Sequence, residues 1–132
     1  MMKNGLAVTG GILNLLFGIF HMLLGRSIHM SNAFAPDTRG LLMAFNIAGT
    51  LTIFYFAVVS LFQIRDLLTT KLGKSTLALI SLYYLLRAAE EFFLFHFQPA
   101  IFVPCVLVGG IYAILFAMNP PNPSPQNSGP GI

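Results

Sequence analysis

The amino-acid sequence predicts an all-α protein, a four-transmembrane-helix antiparallel bundle with a disordered Pro-rich C-terminal tail. Composition is the first reason. Of 132 residues, 56% are hydrophobic and 8% charged, and the mean hydropathy is +0.79. Soluble domains carry about 25% charged residues, so a water-soluble globule is excluded, and so is a disordered chain. Segment length is the second. Four apolar stretches cover residues 5–24, 41–64, 75–97 and 100–118. At 1.5 Å per residue they make helices of roughly 28–36 Å, enough for a hydrocarbon core of about 30 Å. Periodicity is the third. No stretch alternates apolar and polar residues, which argues against membrane strands and leaves helices.

Residues 1–118 thus read as one transmembrane domain and 119–132 as a tail. The first helix follows Lys3, and Ala33-Phe34-Ala35 looks like a small-residue cleavage site. Pro36 directly after it, and an apolar run longer than a signal peptide's, argue for a retained helix. The loop 25–40 carries His29, and Asp37 or Thr38 is the expected cap of the second helix. Phe97-Gln98-Pro99 is a short join, so the third and fourth helices form a tight antiparallel hairpin. Lys3, Arg65, Lys71 and Lys74 fall on one side, and Arg26 and Arg39 on the other. The positive-inside rule then puts both termini in the cytoplasm, with the chain in the inner (plasma) membrane. After Met118 the sequence NPPNPSPQNSGPGI has no charge and repeated proline, the composition of a disordered or recognition segment.

Small and polar residues mark the inward faces. Ala7, Gly11, Asn14, Gly18, His21 and Gly25 form a heptad-like stripe on the first helix. Asn46, Thr50, Ala57 and Ser60 do so on the second, and Cys105, Gly109, Ala113 and Ala117 on the fourth. In lipid such residues let backbones approach and hydrogen-bond across helices, so packing is their first explanation.

The third helix carries the expensive feature, Tyr83-Tyr84-Leu85-Leu86-Arg87-Ala88-Ala89-Glu90-Glu91. Arg87, Glu90 and Glu91 share one face at spacings of three and four. Each charge costs about 2.5–3.5 kcal/mol at a helix centre, and an Arg–Glu pair offsets part of that. One acid is left over, which calls for a proton, a cation or a donor from a neighbouring helix. Counted by rise from the cytoplasmic side, His21 lies about 24 Å up, Arg87 about 18 Å and Glu91 about 24 Å. Asn46, Thr50 and Cys105 fall at about 27, 21 and 20 Å, so these groups converge on one level. His21 is then placed to pair with Glu90 or Glu91.

The cluster has several readings. It can be a buried ion-pair network that sets helix register. It can also be a pocket for a quinone or similar lipophilic head group, with Phe92, Phe93, Phe95 and Phe97 as stacking walls. A third reading is a proton-coupled small transporter using Glu90, Glu91 and His21, which predicts a homo-oligomer. Asn14, Tyr83, Tyr84 and His96 are secondary candidates. A bis-histidine haem would need His21 level with His96, yet by rise they differ by about 7 Å. A chlorophyll-type pigment on His21 alone remains open. No metal site is expected, since the Glu-x-x-His motifs of di-iron bundles are missing. The single Cys105 excludes a disulfide framework and multi-cysteine zinc or iron–sulfur sites. Seven basic and four acidic residues, net +3, are too sparse for a nucleic-acid footprint. Motifs for nucleotide binding, Ser or Cys hydrolysis and zinc proteolysis are missing as well, and no catalytic residue is assigned.

In layout, residues 5–118 resemble the DoxX-like small bacterial membrane proteins. Four closely connected helices, the stretch Gly18-Ile19-Phe20-His21 and a polar third helix carry that resemblance. Some members of that group are named as small subunits of quinone-linked membrane oxidoreductases. The resemblance therefore implies a quinone-binding or accessory role beside other membrane-protein subunits in the lipid bilayer. It transfers no site residues.

Overall fold

The computed structural model describes residues 1–93 and 97–119, so Leu94, Phe95, His96 and most of the proline-rich tail lie outside the described residues. Five helices follow in order: α1 (Met2–Met30), α2 (Pro36–Phe62), α3 (Ile64–Thr69), α4 (Lys71–Phe93) and α5 (Pro99–Ala117). The protein is all-helical across the described residues.

The boundaries differ from expectation in instructive ways. α1 continues to Met30, so the outer connection shrinks to 31–35. Arg26 to Met30 contains no breaker, and Gly25 is held inside the helix because Asn46 packs against its open face. α2 starts at Pro36, whose missing N–H costs nothing in a first turn. Neither Asp37 nor Thr38 caps it. The N-cap is Ala35 with no side-chain bond, and Asp37 sits in the first turn, where its charge suits the dipole. The stretch read as the end of helix two and a loop forms the separate helix α3, with buried Leu67 on its inner side. α4 then begins at Lys71, capped by Thr70, whose Oγ1 accepts the Gly73 N–H at 2.8 Å.

Among the described residues three helices are long and apolar enough to cross a membrane by composition, α1, α2 and α5, where four were expected. α4 has the length, at 23 residues, but carries Lys71, Lys74, Arg87, Glu90 and Glu91.

α1 packs along α2, α4 along α5, and α1 against α5 joins the two pairs. Each pair is antiparallel: Gly11 meets Ser60 and Leu61, Gly18 meets Phe54, and Gly25 meets Asn46. Glycine is required at these crossings. A Cβ on Gly11 would lie 2.7 Å from Leu61, and one on Gly18 would lie 2.9 Å from the Phe54 ring. Gly109 of α5 meets Leu85 of α4 in the same way. The stripe on α5 turns inward through Cys105, Val108, Gly109, Tyr112 and Leu115, whereas Ala117 is exposed. Away from the helix ends the outward faces are apolar, with Leu16, Leu23, Phe45, Leu51, Leu82 and Leu107 all exposed. A contiguous surface of that kind is a poor match to water and a good match to lipid.

Candidate functional site

Two polar layers cross the apolar interior: a closed one of mutually hydrogen-bonded side chains and an open one beside a cavity. The closed layer is centred on Asn14 of α1, which is 0% exposed. Its Nδ2 donates to Tyr112 Oη at 2.8 Å and to the Gly10 carbonyl at 3.0 Å. Tyr84 Oη donates to Asn14 Oδ1, and Ser60 Oγ shares a hydrogen bond with Tyr112 Oη. One side chain each from α1, α2, α4 and α5 thus meets in a single satisfied network. Gly10 makes room for it, since a Cβ there would lie 2.8 Å from the Tyr112 hydroxyl. A fully paired knot of this kind locks helix register.

Sequence reasoning treated Asn14 and Tyr84 as secondary and missed Tyr112. The signal was present: Tyr112 continues the small-residue stripe of Cys105 and Gly109 at spacings of four and three, as Asn14 does on α1.

The open layer holds His21, Asn46, Tyr83 and Arg87. Asn46 Nδ2 donates to the His21 carbonyl at 3.0 Å, so its Oδ1 faces His21 Nδ1 at 3.3 Å. That geometry puts the proton of a neutral ring on Nδ1 and leaves Nε2 as an acceptor. Thr50 spends its hydroxyl on the Asn46 carbonyl at 2.7 Å and so steadies α2 rather than facing a ligand. Tyr83 is pinned edge-on against Phe56 and Tyr84, with ring centroids 5.4 Å apart in each case.

His21 bonds to Asn46 and not to the carboxylates. Glu91, 1% exposed, lies 2.7 Å from Arg87 Nη1 through Oε1, and its Oε2 accepts the Gln98 N–H at 3.3 Å. The Oε1 contact is a charge contact off the hydrogen-bond axis. Glu90 is 3.5 Å from the same guanidinium nitrogen and partly exposed. The donor that answers the surplus acid is therefore the backbone at the N-cap of α5, a helix end that favours negative charge.

A cavity of about 440 Å³ opens beside this layer, between α1, α4 and α5. Leu13, Phe17, Phe20, Ile101 and Pro104 form its apolar wall, and His21, Tyr83 and Arg87 face it with Cys105. A second cleft, between α1, α2 and α4, shares His21, Tyr83 and Arg87 with the first and adds Asn46 and Glu90. The aromatic walls differ from those expected. Phe92, Phe97 and Phe102 cluster with ring centroids 5.1–5.2 Å apart, outside the cavity lining, while Phe93 is exposed and Phe95 lies outside the described residues. Phe17 and Phe20 of α1 take that role.

His96, the second histidine of the haem reading, lies outside the described residues. Among the described residues no group of three or more His, Cys, Asp or Glu side chains is placed to hold a metal ion. The chain matches no family model, no curated protein and no solved structure.

Proposed function

We propose that the chain is a small integral membrane protein of the bacterial inner membrane that binds the polar head of a quinone-like lipophilic molecule. It acts by itself or as an accessory subunit of a larger redox assembly. In this reading α4 is a fourth span. Its outward residues Leu79, Leu82, Leu85 and Leu86 are exposed and apolar, Lys71 and Lys74 stand at its end, and Glu91 turns inward. Lys3, Arg65, Lys71 and Lys74 mark the cytoplasmic side, which holds both termini.

The observation that carries the reading is the 440 Å³ cavity with an apolar wall and three polar groups at one edge. Its size falls within the range of about 300–1,000 Å³ typical of small-molecule sites. Arg87 supplies donors, His21 Nε2 an acceptor and Tyr83 a hydroxyl able to do either, which suits a carbonyl that can also be a hydroxyl. Phe17 and Phe20 offer ring faces to a flat head group. The carboxylates support binding over proton relay, because Glu91 is engaged by Arg87 and Gln98.

The test is the absorbance spectrum of protein purified in mild detergent, with organic extraction of whatever accompanies it. The expected result is a near-ultraviolet quinone band that His21→Phe diminishes. A Soret band would replace this ligand by a tetrapyrrole. Absence of bound quinone, together with no uptake of an added short-chain quinone, would end the proposal.

A further inference from the structure

Opposite the quinone-like site, three lysines meet at one end of the molecule. Lys3 of α1 and Lys71 and Lys74 of α4 line a cleft of about 730 Å³, floored by Leu68 and Phe116. Among the described residues no carboxylate pairs with any of them. Lys3 Nζ donates to the Met118 carbonyl at 2.6 Å and to Asn119 Oδ1 at 2.9 Å, which ties the ends of α1 and α5 together. Lys74 Nζ sits 4.7 Å above the Phe116 ring. Both α1 and α4 begin at this end, and neither has an acidic residue in its first turn. Lysines at the positive ends of two helices are an electrostatic misfit that an anion would relieve.

The cleft does not stop at the charged end. Ala78 and Phe116 also line a narrow apolar groove of about 230 Å³ that runs on between α4 and α5 past Leu82, Leu85 and Ala113. Leu82 and Phe116 are exposed on what would be the lipid-facing surface. Charge at the interface followed by an apolar channel along the span is the shape of a phospholipid, not of a free anion.

We propose that this cleft and groove bind an anionic phospholipid of the cytoplasmic leaflet. Its phosphate lies between Lys71, Lys74 and Lys3, and one acyl chain lies along Ala78 and Leu82. The inference rests on the membrane reading of α4 and α5 but not on the ligand of the His21 cavity.

The test is lipid retention by the full chain in nanodiscs of mixed phosphatidylglycerol and phosphatidylcholine, read by native mass spectrometry. The wild type should retain phosphatidylglycerol with about tenfold or greater preference, and the pair Lys71→Gln and Lys74→Gln should lose it. Lys71→Arg with Lys74→Arg should keep the preference, and Arg26→Gln at the other end should leave it unchanged. Ala78→Phe should weaken lipid retention by closing the groove. Equal retention of both lipids overturns the site while leaving the membrane reading standing. Competition by glycerol phosphate as effective as by lipid, with Ala78→Phe silent, assigns the cleft to a free phosphate instead and overturns the lipid. A chain that does not stay in the nanodisc overturns both readings.

Discussion

Replacing Asn14 by leucine should be strongly destabilising, because Asn14 is the centre of the four-helix polar network. Leucine has the same branched heavy-atom skeleton with bulkier methyl ends, so the perturbation removes hydrogen bonds and leaves no void. Asn14→Leu abolishes the bonds to Tyr112 and Tyr84, two contacts between helices. Interhelical bonds in membranes average about 0.6 kcal/mol and reach about 1.7 kcal/mol. Tyr112 keeps Ser60, but Tyr84 is left with a buried hydroxyl and no partner, at a cost of about 1–3 kcal/mol. The lost Tyr112 bond and the stranded Tyr84 hydroxyl together come to about 2–5 kcal/mol. Tyr84→Phe by itself should cost about 1–3 kcal/mol, because Asn14 Nδ2 keeps Tyr112 and Gly10 but its buried Oδ1 loses its donor. In the Asn14→Leu background the same change removes the stranded hydroxyl and should restore about 1 kcal/mol. The sign of the Tyr84→Phe effect therefore reverses between backgrounds. The assay is a double-mutant cycle from reversible unfolding in mixed micelles, followed by circular dichroism. Additive effects, or an Asn14→Leu variant within about 0.5 kcal/mol of wild type, would refute the knot as a register lock.

Four further outcomes follow from the geometry. Gly10→Ala forces a methyl against a tyrosine ring that Asn14 and Ser60 hold in place, so it should cost about 1–3 kcal/mol. Gly110→Ala meets nothing and should be neutral or stabilising by up to about 1 kcal/mol in the same unfolding assay. Arg87→Met strands Glu91 in the interior and should destabilise by about 3–5 kcal/mol, most of it recovered when Glu91→Leu is added. Leu13→Phe fills the wall of the cavity, so the purified variant should carry less extractable ligand than wild type while its unfolding midpoint in the micelle assay stays within experimental error of wild type.

The stripes on α1 and α2 were legible because the helical period and the demand for small residues at close crossings act on neighbouring positions in the chain. Gly11, Gly18 and Gly25 meet Leu61, Phe54 and Asn46 as such a stripe requires. The partners of His21 and Glu91 were not legible. Rise along a helix sets depth but not rotation, and His21 faces α2 while Glu91 faces the start of α5.

Composition and period by themselves determined that the chain is helical, that long apolar segments dominate it and that charge is concentrated on α4. These are properties of the backbone's need for internal hydrogen bonds and of solvent transfer, both local to each segment. Only the tertiary structure decided that the polar residues divide into a fully paired knot at Asn14 and an open edge at His21 and Arg87, and that the lysines of α1 and α4 share one cleft. Those pairings depend on the rotation and offset of helices far apart in sequence, which shape complementarity among glycines, tyrosines and leucines sets and no single segment encodes.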